Sequence, residues 1–404
     1  MKKLMRKTKV MECALLREAD LPLEVVILTV GGMTMLTAGI LLFPVSDGAL
    51  PFYENGLHGL LLIIFALQMI TLGKTPFGDM QRSKLLLAVG VLIAAVGIVT
   101  CFTPVLIRLP RVLLILCFGP GGLLLLLHMC FAKDKLRSWA KYGGIFRQLI
   151  LGCGAVHILS MLIALLLWKR NLLAAPTTAV ALLFFGAAII WLAGVLWKIY
   201  HKYPEAEKLP SGNVELSTGQ AMLMLMGVFM LLLGGLLVPV NLGLLPFSAN
   251  AQLGLLMVIF AVQMLASGST PIGLFPRTWL VIGFGFLFAA LGIVSCIIPG
   301  ILVLPLTILV GVLNILGGMI SLVKTCVPLL QRKQGTPGGP VPPPLVKLFA
   351  AQLTMSLLAI MFGASMLLPG VVNGLVTGVI LAANGCILLY LLRILVMLDK
   401  MTGT

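Results

Sequence analysis

Two glutamines hold equivalent places in this sequence. Gln68 and Gln263 each lie inside an apolar stretch, about one and a half helical turns before a Gly-x-Thr-Pro-x-Gly motif, Gly73 to Gly78 and Gly268 to Gly273. A carboxamide surrounded by hydrocarbon must find hydrogen-bond partners, so it faces another helix or a wet cavity. Two roles fit: an interhelical bond that fixes packing, or one wall of a pseudo-symmetric solute path. Thr75 and Thr270 sit within the motif. Its glycines permit positive φ and its proline bars further helix, so it reads as a helix stop and tight turn rather than a binding loop. It lacks Walker spacing and the Lys-Ser/Thr that a phosphate cradle needs.

Four more side chains could do chemistry. Asn314 and Asn384 lie in apolar stretches and read as glue between helices rather than ligands. His128 and His157 fall in neighbouring stretches. They fit either a proton-sensitive pair across adjacent helices or packing histidines bonded to carbonyls. The position 195 residues after His128 is Val323, so the pair is not duplicated. In the second copy of Phe118-Gly-Pro-Gly-Gly122, Leu313 to Gly317, the proline is absent, which predicts a local kink in the first copy alone.

The carboxylates argue by where they are not. All twelve acids fall outside the apolar cores, Glu24 and Glu54 only at helix mouths. Ion-coupled carriers place a carboxylate near mid-membrane, where a charge is costly and kept for function. Carboxylate-coupled transport is therefore not expected. Zinc is not expected either, because the four histidines have neither H-x-x-x-H nor H-x-x-E spacing. No nucleophile–base pair or cofactor motif is found, so no catalytic residue and no cofactor is assigned. The eight cysteines never form C-x-x-C and read as small apolar residues.

The elements that hold these residues follow from composition. Of 404 residues, 60% are hydrophobic and 10% charged, against about 25% charged in a soluble domain. That excludes a soluble enzyme, a secreted disulfide scaffold and a disordered chain. With 44 glycines and only 7% aromatics, the text favours packed helices over an aromatic-girdled β-barrel. Apolar runs near 24–44, 55–73, 85–104, 110–131, 148–168, 173–197, 219–239, 250–268, 279–299, 302–323, 348–369 and 374–397 predict twelve spans. The expected fold is an all-α, polytopic membrane helix bundle.

The net charge of +16 would suggest nucleic acid in a soluble protein, but no recognition motif accompanies it. The cations instead sit between the runs. If the N-terminus is cytoplasmic, 24 of the 28 Lys/Arg lie inside and only Arg108, Arg111, Lys169 and Arg170 outside. Both termini are then cytoplasmic. Residues 1–23 read as a basic segment that rests on anionic headgroups, not a signal peptide.

A shift of 195 residues lays the chain on itself without a gap. From Pro44 to Pro110, 32 of 67 positions are identical in the second copy, including Gln68, Thr75, Arg82 and Pro104. Two six-span repeats follow, 24–200 and 219–400, joined by 201–218 and sharing one orientation because six is even. The last two spans of each half align poorly. A Pro-rich stretch, 331–344, reads as a stiff cytoplasmic linker. Successive odd-numbered spans carry two glycines seven residues apart and then a proline: Gly32/Gly39/Pro44, Gly90/Gly97/Pro104, Gly227/Gly234/Pro239 and Gly285/Gly292/Pro299. Both glycines share a helix face and offer a neighbour close approach, with three sequence-adjacent hairpins expected per half.

These small-residue hairpins with outer prolines, three to a six-span unit, resemble the short-repeat membrane family typified by the acid-resistance protein HdeD. The resemblance covers both halves, as a tandem fusion, and departs from the family in the duplication, the eroded third hairpins and the Pro-rich stretch. It implies a non-enzymatic protein of the bacterial inner membrane associated with acid stress. A scaffold or complex subunit, working with a membrane-protein partner or a second copy, is the related expectation. The alternative is a carrier or channel for a small neutral solute. A water-filled centre bounded by Gln68 and Gln263 would favour the carrier; dry packing there would favour the scaffold.

Overall fold

The computed structural model describes residues 17–19, 21–79, 83–106, 108–132, 136–169, 174–207, 217–332, 343–368 and 373–402. Most of the basic segment 1–23 and of the Pro-rich stretch 331–344 lies outside them. Helices α1 (Leu23–Ser46), α2 (Glu54–Leu72), α3 (Lys84–Phe102), α4 (Leu109–Phe118), α5 (Pro120–Phe131), α6 (Leu136–Tyr142), α7 (Ile145–Trp168) and α8 (Ala175–Lys202) come first. Then follow α9 (Thr218–Asn241), α10 (Ala249–Ser267), α11 (Trp279–Ile297), α12 (Val303–Arg332), α13 (Pro343–Leu367) and α14 (Gly374–Thr402). Two-residue strands β1 (Lys74–Thr75) and β2 (Gly78–Asp79) form a small antiparallel hairpin after α2, and β3 (Ser269–Thr270) and β4 (Gly273–Leu274) repeat it after α10.

Twelve helical spans, with α4 and α5 making one, are long and apolar enough to cross a membrane. Their ends follow local chemistry. Ser217 and Gln220 form a capping box on α9, and the Ser83 and Thr278 hydroxyls accept from Leu86 and Val281 at the starts of α3 and α11. Gly73 and Gly268, both at φ 68°, end α2 and α10 in the left-handed conformation. Pro104 and Pro299 lie just past the ends of α3 and α11, whereas α1 and α9 run two residues beyond Pro44 and Pro239. The span after α3 breaks at Gly119 between Phe118 and Pro120, while α12 runs unbroken, as the lost proline predicts. Large apolar side chains point outward all round, among them Ile40, Leu92, Phe184 and Val379, each more than half exposed.

The glycine stripes meet close neighbours, but the partners differ from those expected. Gly32 and Gly39 of α1 face Gly186 and Ala179 of α8, and Gly227 and Gly234 of α9 face Gly385 and Gly378 of α14. Gly97 of α3 faces Gly59 of α2, and Gly292 of α11 faces Gly254 of α10. Gly311 of α12 meets Gly363 of α13. The first span of each half therefore packs on the last, not chiefly on the second, and the tight pairs are one with six, two with three and four with five. Close backbone approach selects these pairs because two glycine faces leave no side chain between them.

The core is continuous from one half to the other. Leu60, Leu62 and Ile98 belong to the same buried cluster as Leu255, Met257 and Ile293. Phe102 of α3 meets Phe229 of α9 edge-on at 5.7 Å, an aromatic pair worth about 1 kcal/mol beyond its buried area. α2 and α10 are the most enclosed spans.

Candidate functional site

In the Gly-x-Thr-Pro-x-Gly motif both threonine hydroxyls serve the turn. Thr75 Oγ1 donates to Gly78 O at 2.7 Å and accepts from Phe77 N at 3.2 Å. Thr270 Oγ1 does the same with Gly273 O at 2.8 Å and Ile272 N at 3.3 Å. Each turn docks on the following span at a glycine: a Cβ on Gly121 would meet Pro76 O, and one on Gly317 would meet Pro271 O. Gly317 is the repeat partner of Gly122, not of Gly121, so the break at Gly119-Pro120 has slipped the first contact by one residue. Gln68 and Gln263 are half-buried, on α2 and α10. On α10 the Gln263 carbonyl accepts from Ser267 Oγ at 2.9 Å.

The asparagines and histidines are dispersed. Asn314 Nδ2 donates to Val310 O on its own helix at 2.8 Å. Asn384 is buried in α14 with its Oδ1 unpartnered among the described residues. His128 is exposed on α5, and His157 is half-buried on α7, where its carbonyl accepts from Ser160 Oγ at 2.8 Å. Ser160 Oγ also lies 3.1 Å from Phe118 O, next to the helix break.

The polar contacts that tie helices together involve residues outside these motifs. Glu24, in the first turn of α1, ion-pairs with Lys74 of β1 and accepts from Tyr200 Oη of α8 at 2.6 Å. Its side chain is only 16% exposed. One carboxylate thus joins the first, second and sixth spans. The repeat positions of Glu24 and Lys74 are Gly219 and Ser269, so two opposite charges present in one copy only were the available signal. The second half closes its first and last spans differently, with Gln220 Nε2 donating to Asp399 Oδ2 at 2.5 Å. At the same end, Ala19 N donates to Arg277 O at 2.7 Å and Arg277 donates to Leu21 O at 3.2 Å, which fastens the chain before α1 to the second half. Trp197 and Trp279 meet edge-on there at 6.5 Å.

At the opposite end the halves cap each other. Tyr53 N donates to Ile297 O at 2.8 Å, and Ser248 N donates to Phe102 O at 2.9 Å. Cys101 Sγ approaches Gly56 O at 3.5 Å and Cys296 Sγ approaches Ala251 O at 3.7 Å. Asn250 Oδ1 is buried here without a hydrogen-bond partner among the described residues. Burial pushes the Tyr53 phenol from 10.0 up to about 12, so it stays uncharged at any physiological pH. Glu54 and His58 stand 3.7 Å apart on the first turns of α2, His58 buried.

A cavity of about 340 Å³ opens at this end, lined by α9, α10, α12, α13 and α14. All of its walls belong to the second half, and neither Gln68 nor Gln263 lines it. Among the described residues no cluster of three or more His, Cys, Asp or Glu could hold a metal.

Twelve apolar spans around a continuous apolar core define a multi-pass integral membrane protein. Comparison with known protein families, with curated proteins and with solved structures finds no match to the chain.

Proposed function

We propose that the chain is a non-enzymatic protein of the bacterial inner membrane, an HdeD-like envelope-stress protein or a scaffold subunit, built by duplication of a six-span unit with both termini cytoplasmic. The observation that carries this reading is the packing where the halves meet. There the first three spans of each half share one buried apolar cluster, and Phe102 and Phe229 lie edge to edge within it. A solute path bounded by Gln68 and Gln263 would need polar or wet walls at that place. The duplication is supported by contacts that recur 195 residues apart: Gly59 on Gly97 and Gly254 on Gly292, Cys101 on Gly56 and Cys296 on Ala251. Dry packing, close glycine contacts and a charged, basic cytoplasmic face suit a protein whose work is to hold partners or brace the bilayer.

Flux separates this reading from the carrier. Purified protein in phosphatidylcholine vesicles should leave glycerol and urea permeability at the level of empty vesicles in stopped-flow light scattering. A saturable rise in either flux, lost in Gln68→Leu, would replace the scaffold by the carrier. The stress reading is checked separately, by survival at pH 2.5 of cells with and without the gene.

A further inference from the structure

We propose that the cavity in the second half binds an uncharged lipid whose head carries hydroxyl groups, of the monoacylglycerol type. The assignment rests on the chemistry of its walls and stands apart from the scaffold reading. Its apolar lining includes Leu237, Phe247, Leu253, Phe362 and Met366, and its polar lining is Asn241, Gln252, Thr307, Ser365 and Thr377. None of the described lining residues is ionisable. A phosphate or ammonium head would find no countercharge among the described lining residues.

The polar walls are mostly acceptors. Thr307 Oγ1 donates to Val303 O at 2.7 Å, and Ser365 Oγ to Phe362 O at 2.7 Å. Asn241 Nδ2 donates to Leu237 O at 2.7 Å. These bonds use the single hydroxyl hydrogens of Thr307 and Ser365 and one of the two amide hydrogens of Asn241, and they leave oxygen lone pairs free for a ligand. A guest that satisfies them must bring hydrogens of its own, which a polyol head does. Gln252 offers both a donor and an acceptor.

The equivalent positions of the first half carry different chemistry. Where the cavity has Ala249, Leu253 and Val303, the positions 195 residues earlier hold Glu54, His58 and Arg108. Where it has Asn241, Gln252 and Thr307, they hold Ser46, Leu57 and Val112. Three ionisable side chains are thus matched by apolar ones, and two apolar ones by neutral hydrogen-bonding ones. The apolar body comes from the leaflet. Leu304, Met361 and Leu368, next in sequence to lining residues or close to them, are each about half exposed or more, so apolar surface adjoins the cavity. A volume of about 340 Å³ sits at the lower end of ligand pockets, enough for a glycerol head and the first carbons of one chain but not for a diacyl lipid.

The test is photo-crosslinking of the full chain in phosphatidylcholine nanodiscs with a monoacylglycerol that carries a diazirine near its head. Labelling is expected to saturate and to map to peptides covering 237–253, 303–307 and 362–377. Excess monoolein should compete; lysophosphatidylglycerol should not. Gln252→Leu, which installs the first-half residue, should weaken binding about tenfold, equivalent to roughly 1.4 kcal/mol. Thr307→Trp fills the space and should abolish labelling, with a ligand-free melting curve as the check on folding. If that variant does not fold, Gln252→Leu alone decides. Labelling that never saturates, equal competition by lysophosphatidylglycerol, or full labelling of Gln252→Leu overturns the site. Competition by glycerol alone as strong as that of monoolein overturns the lipid assignment.

Discussion

The backbone amide of Tyr53 donates to the carbonyl of Ile297 at 2.8 Å, so the helix that begins in one half is capped by the helix that ends in the other. The Tyr53 side chain beside this bond is half-buried, and desolvation raises its pKa from 10.0 to about 12. Below pH 10 the phenol is protonated in both folded and unfolded chains. Between about 10 and about 12 only the unfolded chain ionises, so stability is lost as pH rises through that window. The melting temperature should therefore fall above pH 10, and Tyr53→Phe should remove part of the fall. Near pH 7 the phenol is protonated in both states, so this pH-dependent difference between the variant and wild type should vanish there. A fall above pH 10 that is equally steep in Tyr53→Phe would contradict this account.

The glycine contacts predict a matched pair of defects. A Cβ on Gly97 would stand 2.8 Å from Gly59 O, and one on Gly292 would stand 2.6 Å from Gly254 O. Gly97→Leu and Gly292→Leu should each lower thermal stability in detergent by about 1–3 kcal/mol, as overpacking does. Leu62→Met, at a buried site with little change in volume, should lie close to wild type. Two leucine variants that melt like wild type would show that the helices part without cost.

Glu24 predicts a different kind of loss. Lys74→Met leaves the carboxylate with the Tyr200 hydroxyl alone, and Lys74 is 37% exposed, so solvent screening keeps the cost to about 1 kcal/mol. Glu24→Gln in the same chain should recover part of that loss by removing the stranded charge. Thermal melts of the two single variants and the double variant measure the coupling. Strict additivity would mean that the pair contributes nothing.

Orientation is checked by fusion reporters. A periplasm-active reporter joined after Gly48 should be active and one joined after Ala140 silent, with a cytoplasm-active reporter giving the converse. The reverse pattern would invert the membrane topology.

Span positions were legible because about twenty apolar residues in a row admit few readings, and even the break at Gly119-Pro120 follows from its residues. The pairing of spans was not. Gly32 and Gly39 announce that some helix comes close, but a glycine face carries no address, and Gly186 of α8 serves it as well as a residue of α2 could. The candidate site was legible in part. Thr75 and Thr270 are turn residues as their motif implies. The Glu24–Lys74–Tyr200 contact escaped because its members are far apart in sequence and each looks like an ordinary helix-end residue. The cavity escaped because its walls are neutral and drawn from five helices, so no local pattern marks it.

The reciprocal caps also make the order of synthesis matter. When α10 is made, Phe102 already exists, so the Ser248 amide finds its carbonyl on arrival. The head of α2 has no such luck: it enters the bilayer before Ile297 has been translated and must wait for it. The earlier half is thus the dependent one. A chain cut in the connection before α9 would leave Tyr53 uncapped, yet would still offer Phe102 O, the acceptor that the Ser248 amide needs. Severed halves expressed together therefore hold everything required to find each other, whereas the first half alone meets that need only by seeking another copy of itself.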